Sequence, residues 1–207
     1  AAFPFAEVIS GYTAFYLGAK SVNPDVTMEI MYTNSWNDPT VESQVAKALI
    51  DRGCDVISQH SDSTAPATTA EDNGVWQVGY NNDMIEAAPN ASLISPRIDW
   101  GIYVTEAVQA MIDGEEIPTD WCKGLADGAV YLSPLNENIA AEGTQEAIDE
   151  AAEKIKSGEL HVFAGPLKGV SPEGEEYEVA EGEYYHEQEE ASAPSWLYIV
   201  DGCTVVE

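Results

Sequence analysis

Four consecutive residues, His60, Ser61, Asp62 and Ser63, carry the groups a serine hydrolase uses: a hydroxyl nucleophile, an imidazole base and an orienting carboxylate. Their adjacency argues against that use. They follow the apolar run "CDVISQ", and neighbours on an extended chain point to opposite sides, so consecutive residues do not make a triad. No G-x-S-x-G elbow occurs in the chain. A metal centre needs three or four matched ligands, whereas His60, His161 and His186 lie in unrelated settings and no carboxylate calcium loop is spelled out. Neither metal nor cofactor is called for. What remains is hydrogen bonding, either within the fold or to a bound molecule.

Three other stretches share this character, "TNSWNDP", "GYNNDM" and "RIDWG", each placed just past an apolar run. Together they offer Asn34, Trp36, Asp38, His60, Asp62, Asn81, Asn82, Asp83, Asp99 and Trp100. Flat apolar rings beside edge-on polar groups suit a small planar, hydroxylated ligand. Simpler roles compete at several positions. Asp38 before Pro39 fits a helix cap, Asp62 before "STAP" fits another, Asp83 fits a turn, and Trp36 and Trp100 fit loop packing as well as ligand stacking. Asn34, Trp36, His60, Asp62, Asn81, Asn82, Asp99 and Trp100 remain the ligand-facing candidates.

The elements that must position them alternate in type. Residues 7–20 put Val8, Tyr12, Phe15 and Tyr16 or Ala19 on one helical face, and "NPD" ends the helix. Strands are expected at 26–33, 54–60, 75–80, 91–98 and 128–135. Helices are expected at 38–53, 64–74, 100–114 and 136–160, with Asp and Pro opening the first of these and Gly closing several. Strands alternating with helices, and written as near-continuous apolar runs, predict an α/β fold with a doubly wound parallel sheet. Ligands bind such sheets outside the carboxyl ends of the strands, which is where the polar stretches fall. The opening "AAFPF" reads as the tail of a strand. After Phe163 the text turns rich in Gly, Pro and Glu, predicting an irregular acidic segment over 163–207 with a small hairpin, and "GEEYEVAEGEYYHEQEE" (174–190) reads as solvated surface.

Charge narrows the partners. The 207 residues hold 37 acids against 8 bases, a net charge of -29 that repels nucleic acid and anionic membrane alike. The same imbalance resembles the surfaces of proteins adapted to salt. No apolar window is long enough to span a bilayer. Cys54, Cys122 and Cys203 form no C-x-x-C pair; Cys54 fits an inert buried thiol, and Cys122 and Cys203 could pair only if the fold brings them together.

Taken in order, "AAFPFAEVISGYTAFYLGAKSVNPD", "NSWNDPTVESQVAKALIDRGCDVISQHSDSTAP", "VGYNNDM", "DWGIYVTEAVQAMIDG", "LSPLNENI" and "FAGPLKG" closely resemble the basic membrane protein family. These are substrate-binding lipoproteins of ABC transporters related to bacterial purine-nucleoside receptors. The resemblance implies a non-catalytic, two-lobed binding protein of the type I periplasmic class, of which this chain is the C-terminal lobe. It implies residence outside the cytoplasmic membrane, a purine-like solute in the interlobe cleft, an ABC permease as partner, and a lipid anchor carried on a stretch this chain lacks. Residues 1 to about 93 and about 120 to 165 would build the lobe, and the helix at 100–114 would pack on the other one. Trp36 stands where the nucleoside-receptor branch carries a base-stacking aromatic residue. His60 to Ser63 replace that branch's Gly-rich strand end, Asn81 to Asp83 replace its "DSD", and the neighbourhood of Asp99 and Trp100 replaces its Lys. Those departures leave a purine base or another small heterocycle as plausible as a nucleoside, and a sugar ligand or a hydrolase on the same scaffold as the alternatives.

Overall fold

The computed structural model describes residues 1–187 and 192–207. Helices and strands alternate through α1 (Ala6–Val22), β1 (Met28–Ile30), α2 (Pro39–Asp51), β2 (Val56–Ser58), α3 (Ala65–Asp72), β3 (Trp76–Val78), β4 (Pro96–Ile98), α4 (Trp100–Asp113), β5 (Val130–Leu132) and α5 (Thr144–Lys156). The strands β6 (Leu167–Val170), β7 (Glu176–Val179), β8 (Ile199–Val200) and β9 (Cys203–Val205) follow. β2 pairs in parallel with β3, Gln77 bridges in parallel to Ser92, and β1 pairs in parallel with β9. This is the α/β fold with a parallel sheet that the alternation predicts.

Local chemistry sets the boundaries. Asp38 caps α2 by accepting from Thr40 N and Val41 N, both at 3.1 Å, and Pro39 supplies a first helical residue that needs no partner for an N–H. α5 starts at Thr144 rather than near residue 136, because Gly143 at φ 85° holds a left-handed turn that a helix cannot include. The strand expected at 91–98 divides at its proline. Gln77 N donates to Ala91 O and Leu93 N to Gln77 O, each at 2.9 Å, while Pro96–Ile98 turns away to pair antiparallel with β5. Pro96 has no N–H to continue the first ladder.

Two cores form. Ala46 of α2, Ile57 of β2 and Ala67 and Ala70 of α3 pack with Met84, Ala88 and Ala91, a set of small side chains that lets helix and sheet approach closely. Ile9 and Tyr16 of α1 pack instead with Phe163, Leu167, Val179, Trp196 and Val200. Five of these seven residues thus come from the segment whose composition predicts mainly turns. There β6 pairs antiparallel with β7 and with β8, and β9 returns to β1. Tyr16 donates to Asp201 O at 3.0 Å, tying α1 to that return. The acidic run 174–190 contributes Glu176–Val179 to this sheet with only Val179 turned inward, and its last three residues lie outside the described ones.

The thiols are quiet. Cys203 is a free thiol, so it forms no disulfide with Cys122, and burial pushes it up to about 12; burial also raises Cys54. Among the described residues no helix is long and apolar enough to cross a membrane.

The bases are consumed locally. Lys47, Arg52, Lys123, Lys154, Lys156 and Lys168 each pair with a carboxylate, Lys20 donates to Tyr16 Oη at 3.0 Å, and Arg97 lies 5.3 Å over the Tyr131 ring. The acidic excess is therefore left to solvent cations, and self-repulsion opposes the compact state. Raising KCl from about 0.1 M to about 1 M shortens the screening length from roughly 10 to 3 Å. The thermal midpoint followed by circular dichroism should rise over that range; a flat or falling midpoint would contradict the charge argument.

Candidate functional site

The strand ends diverge into two tiers. In "HSDS" the alternation sends Ser61 and Ser63 inward, 3% and 9% exposed, and leaves Asp62 exposed and His60 half-buried. Both serines meet Glu42, a carboxylate on α2 that is only 1% exposed. Glu42 Oε2 accepts from Ser61 Oγ at 2.9 Å, Ser63 Oγ at 2.6 Å and Ser63 N at 3.3 Å, and Oε1 accepts from Asp38 N at 2.9 Å. Below it, Gln59 Nε2 donates to Ser61 O and Ser63 O at 2.9 and 2.8 Å, and Gln77 donates to Gln59 Oε1 at 3.0 Å. Here both serines serve structure. Their hydroxyls donate to a buried carboxylate, and among the described residues neither bonds to an imidazole. Ser63 Oγ also accepts from Ala65 N at 3.2 Å, a turn leading into α3, whose N-cap is Thr64 rather than Asp62.

The upper tier is the rim. His60 stacks on Tyr80 with ring centroids 4.1 Å apart, joining the end of β2 to the end of β3. Burial pushes the His60 imidazole below its ordinary value, and Glu7 and Asp62 pull the other way; burial, then Asp62 and Glu7, raise the Tyr80 phenol. His60 is thus a neutral ring near pH 7, able to donate from one nitrogen and accept at the other. Its Nδ1 is buried without a partner. Asp62 N donates to Trp36 O at 2.8 Å, which holds the loop after β1 against the loop after β2.

Trp36 joins an aromatic patch made by the first residues of the chain. Ala1 O accepts from Thr33 N and Ala2 O from Asn34 N, so the opening segment lies along the exit from β1. This sets Phe3 5.3 Å and Phe5 6.2 Å from Trp36 between ring centroids, with Phe3 and Phe5 stacked at 5.1 Å. Trp36 is 38% and Phe5 48% exposed. Asn34 and Asn81 take positive φ, 54° and 59°, a conformation Asn tolerates better than most residues, and it turns both loops sharply.

The predicted residues are not all gathered. A backbone hydrogen bond joins the loop of Asn34 and Trp36 to the loop of His60 and Asp62, and the His60–Tyr80 stack brings the chain preceding Asn81 beside them. Asn82 and Asp83 line a separate open groove of about 700 Å³ with Arg97 and Asn136, and Asp83 accepts from Ile85 N at 3.0 Å as a turn former. Asp99 caps α4, accepting from Gly101 N at 2.8 Å, and Trp100 begins that helix 65% exposed. Among the described residues no hydrogen bond or ring contact joins Asp99 or Trp100 to the Trp36 face. Phe3, Phe5 and Tyr80 escaped the sequence argument because aromatic residues in an apolar context read as core. Glu42 escaped because a Glu in a helix's first turn reads as surface. No cluster of metal-ligating residues occurs among the described residues.

α1 leans on this face. A Cβ at Gly11 would lie 2.9 Å from His60 Cδ2, so the ring packs against bare helix backbone. Gly11→Ala should therefore separate two observables. Helix propensity favours Ala by about 1 kcal/mol, so the thermal midpoint should hold or rise, while the His60 ring must shift on Tyr80. An NMR shift of the His60 ring protons in the variant is expected; unchanged shifts would contradict the contact.

Residues 1–164 match the family model Bmp, described as ABC transporter substrate-binding protein PnrA-like. The chain is 39% identical over 165 residues to a purine-binding protein of Brucella abortus, covering 80% of this chain and 47% of that protein. It is 35% identical over 195 residues to TsgA13 of Haloferax volcanii, named for a proposed glucose-binding role in an ABC transporter, covering 94% of this chain and 49% of that one. The chain thus spans about half the length of these relatives. Among solved structures, an ABC transporter solute-binding protein from Conexibacter woesei superposes with a TM-score of 0.61 at 20% identity, over 76% of this chain and 53% of that one.

Proposed function

The chain belongs to the Bmp family of ABC transporter substrate-binding proteins, and from that premise we propose that its Trp36 face is one wall of an interlobe cleft that holds a purine base or nucleoside. The observation that carries this reading is the contrast between the two tiers. Underneath, Glu42, Ser61, Ser63 and Gln59 satisfy one another, while above them the side chains of Asn34, Trp36, His60, Asp62 and Tyr80 have no hydrogen-bond partner among the described residues. A fixed scaffold under unspent polar groups and aromatic plates is how a protein prepares to bind a flat ligand. The purine-binding relative supports the class of ligand. Glucose is the second reading, favoured by the TsgA13 match across nearly the whole chain.

In this account the protein is a receptor without catalysis of its own, working outside the cytoplasmic membrane and delivering its solute to an ABC permease, with a lipid anchor holding it there. Ligand favours closure of the two lobes about a hinge. The open Trp36 face is what half a cleft looks like. α4 fits the same scheme: it buries no residue and exposes Trp100, Val104, Val108, Met111 and Ile112, which we assign to packing on the second lobe. Calorimetric titration of the whole protein with adenine, adenosine and glucose tests the reading. Tight binding of one purine and none of glucose is expected; the reverse would transfer the assignment to sugars.

A further inference from the structure

α1 contributes more to the Trp36 face than a wall of backbone. Glu7 precedes Gly11 by four residues on this helix, so the two share a side, and Gly11 is the position that touches His60. The Glu7 carboxylate is felt by both the His60 imidazole and the Tyr80 phenol, as is that of Asp62. The stacked His60–Tyr80 pair thus lies next to two acidic residues, Glu7 one helical turn from the Gly11 contact on α1 and Asp62 on the loop after β2.

These two differ from Glu42, Asp38, Asp99 and Asp83. Glu42 takes four donors, Asp38 and Asp99 cap helices, and Asp83 closes a turn. Glu7 and Asp62 are exposed, and neither carboxylate has a hydrogen bond or a Lys or Arg partner among the described residues. An ionised carboxylate can only accept, so a molecule held on the His60–Tyr80 pair must present donors to it. A molecule carrying its own negative charge would be repelled there.

We propose that Glu7 is a specificity-determining residue of this site, accepting N–H donors from a neutral or cationic heterocycle and, with Asp62, excluding anionic ones. This rests on the assignment of the Trp36 face as the binding wall. The ring N–H and exocyclic amine of adenine are donors of this kind, whereas a phosphate on the same ligand brings only acceptors and charge.

Calorimetry on the whole protein provides the test, with adenine and adenosine 5′-monophosphate titrated into wild type, Glu7→Gln and Asp62→Asn. Glutamine keeps the size of Glu7 and removes its charge. Adenine affinity in Glu7→Gln should fall about tenfold or more, the usual consequence of losing a charge-assisted hydrogen bond, and the preference for adenine over the monophosphate should narrow in both variants. An unchanged thermal midpoint assigns the loss to binding rather than to folding. Equal adenine affinity and equal discrimination in wild type and Glu7→Gln would overturn the proposal. If wild type binds neither compound, the purine reading fails separately, and NMR titration of His60 decides the placement of Glu7. Loss of a neighbouring carboxylate should lower the His60 pKa in Glu7→Gln, and a titration that does not move would overturn the placement.

Discussion

Replacing Glu42 by Ala should destabilise the fold by about 3 to 5 kcal/mol, the cost of breaking a buried, charge-bearing network by removing one partner. Four donors converge on this carboxylate, from Ser61 Oγ, Ser63 Oγ, Ser63 N and Asp38 N. A hydrogen bond to a charged group contributes roughly 1.5 to 3 kcal/mol, and donors stranded in the interior cost about 1 to 3 kcal/mol each, with the sum held down by water entering the space. The loop carrying His60 and Asp62 loses its floor at the same time. Urea unfolding should show the drop in stability, and the His60–Tyr80 stack should loosen in the remaining folded molecules. A loss below about 0.5 kcal/mol, the range of an ordinary surface change, would mean that the network does not hold the loop.

Trp36→Ala is expected to weaken purine binding by about 1 to 3 kcal/mol, the usual contribution of stacking a base on an aromatic side chain. The geometry fits that range. Trp36 is backed by Phe3 and Phe5 with ring centroids 5.3 and 6.2 Å away and is fixed through its own carbonyl by Asp62 N, so its ring is held in place before a ligand arrives. Preorganisation of this kind reduces the entropy lost on binding. Because the ring is 38% exposed, the variant should fold almost as well as wild type. Calorimetry on the whole protein reads the change, and unaltered affinity would remove Trp36 from the site.

What the sequence made visible and what it hid follow from range. Asp38 declares its capping role within four residues, because "DPTV" contains the cap, the proline and both donors. The alternation that turns His60 and Asp62 outward and Ser61 and Ser63 inward is equally local. The succession of helices and strands could be inferred because apolar runs and Gly stops recur along the chain. Glu42, by contrast, meets serines some twenty residues away, and nothing near it marks a helical Glu as buried. Glu7 is hidden for the same reason, since its relation to His60 exists only after α1 docks on the loop beyond β2. Of the C-terminal sheet only a small hairpin was legible, because its strands have two to four residues, too few for a period of two to register, and because the Glu residues that point outward dominate the composition. Trp196, fully buried among Phe163, Tyr177, Tyr185 and Tyr198, is the residue that makes the segment a core.

The opening suspicion of catalysis at His60 to Ser63 ends differently under this geometry. Ser61 and Ser63 are spent on Glu42, and the groups left over, His60 and Asp62, sit beside Tyr80 and Trp36 on the face proposed to hold the ligand. The family to which the chain belongs is one of substrate-binding proteins, so turnover is not the measure of this site. The identity of its ligand is. Mass spectrometry of the small molecule released on denaturing the whole protein, purified from its own host, measures that directly. A purine base or nucleoside in near-equimolar amount is the predicted result, and a hexose or any compound without a heterocycle in the same amount would contradict it.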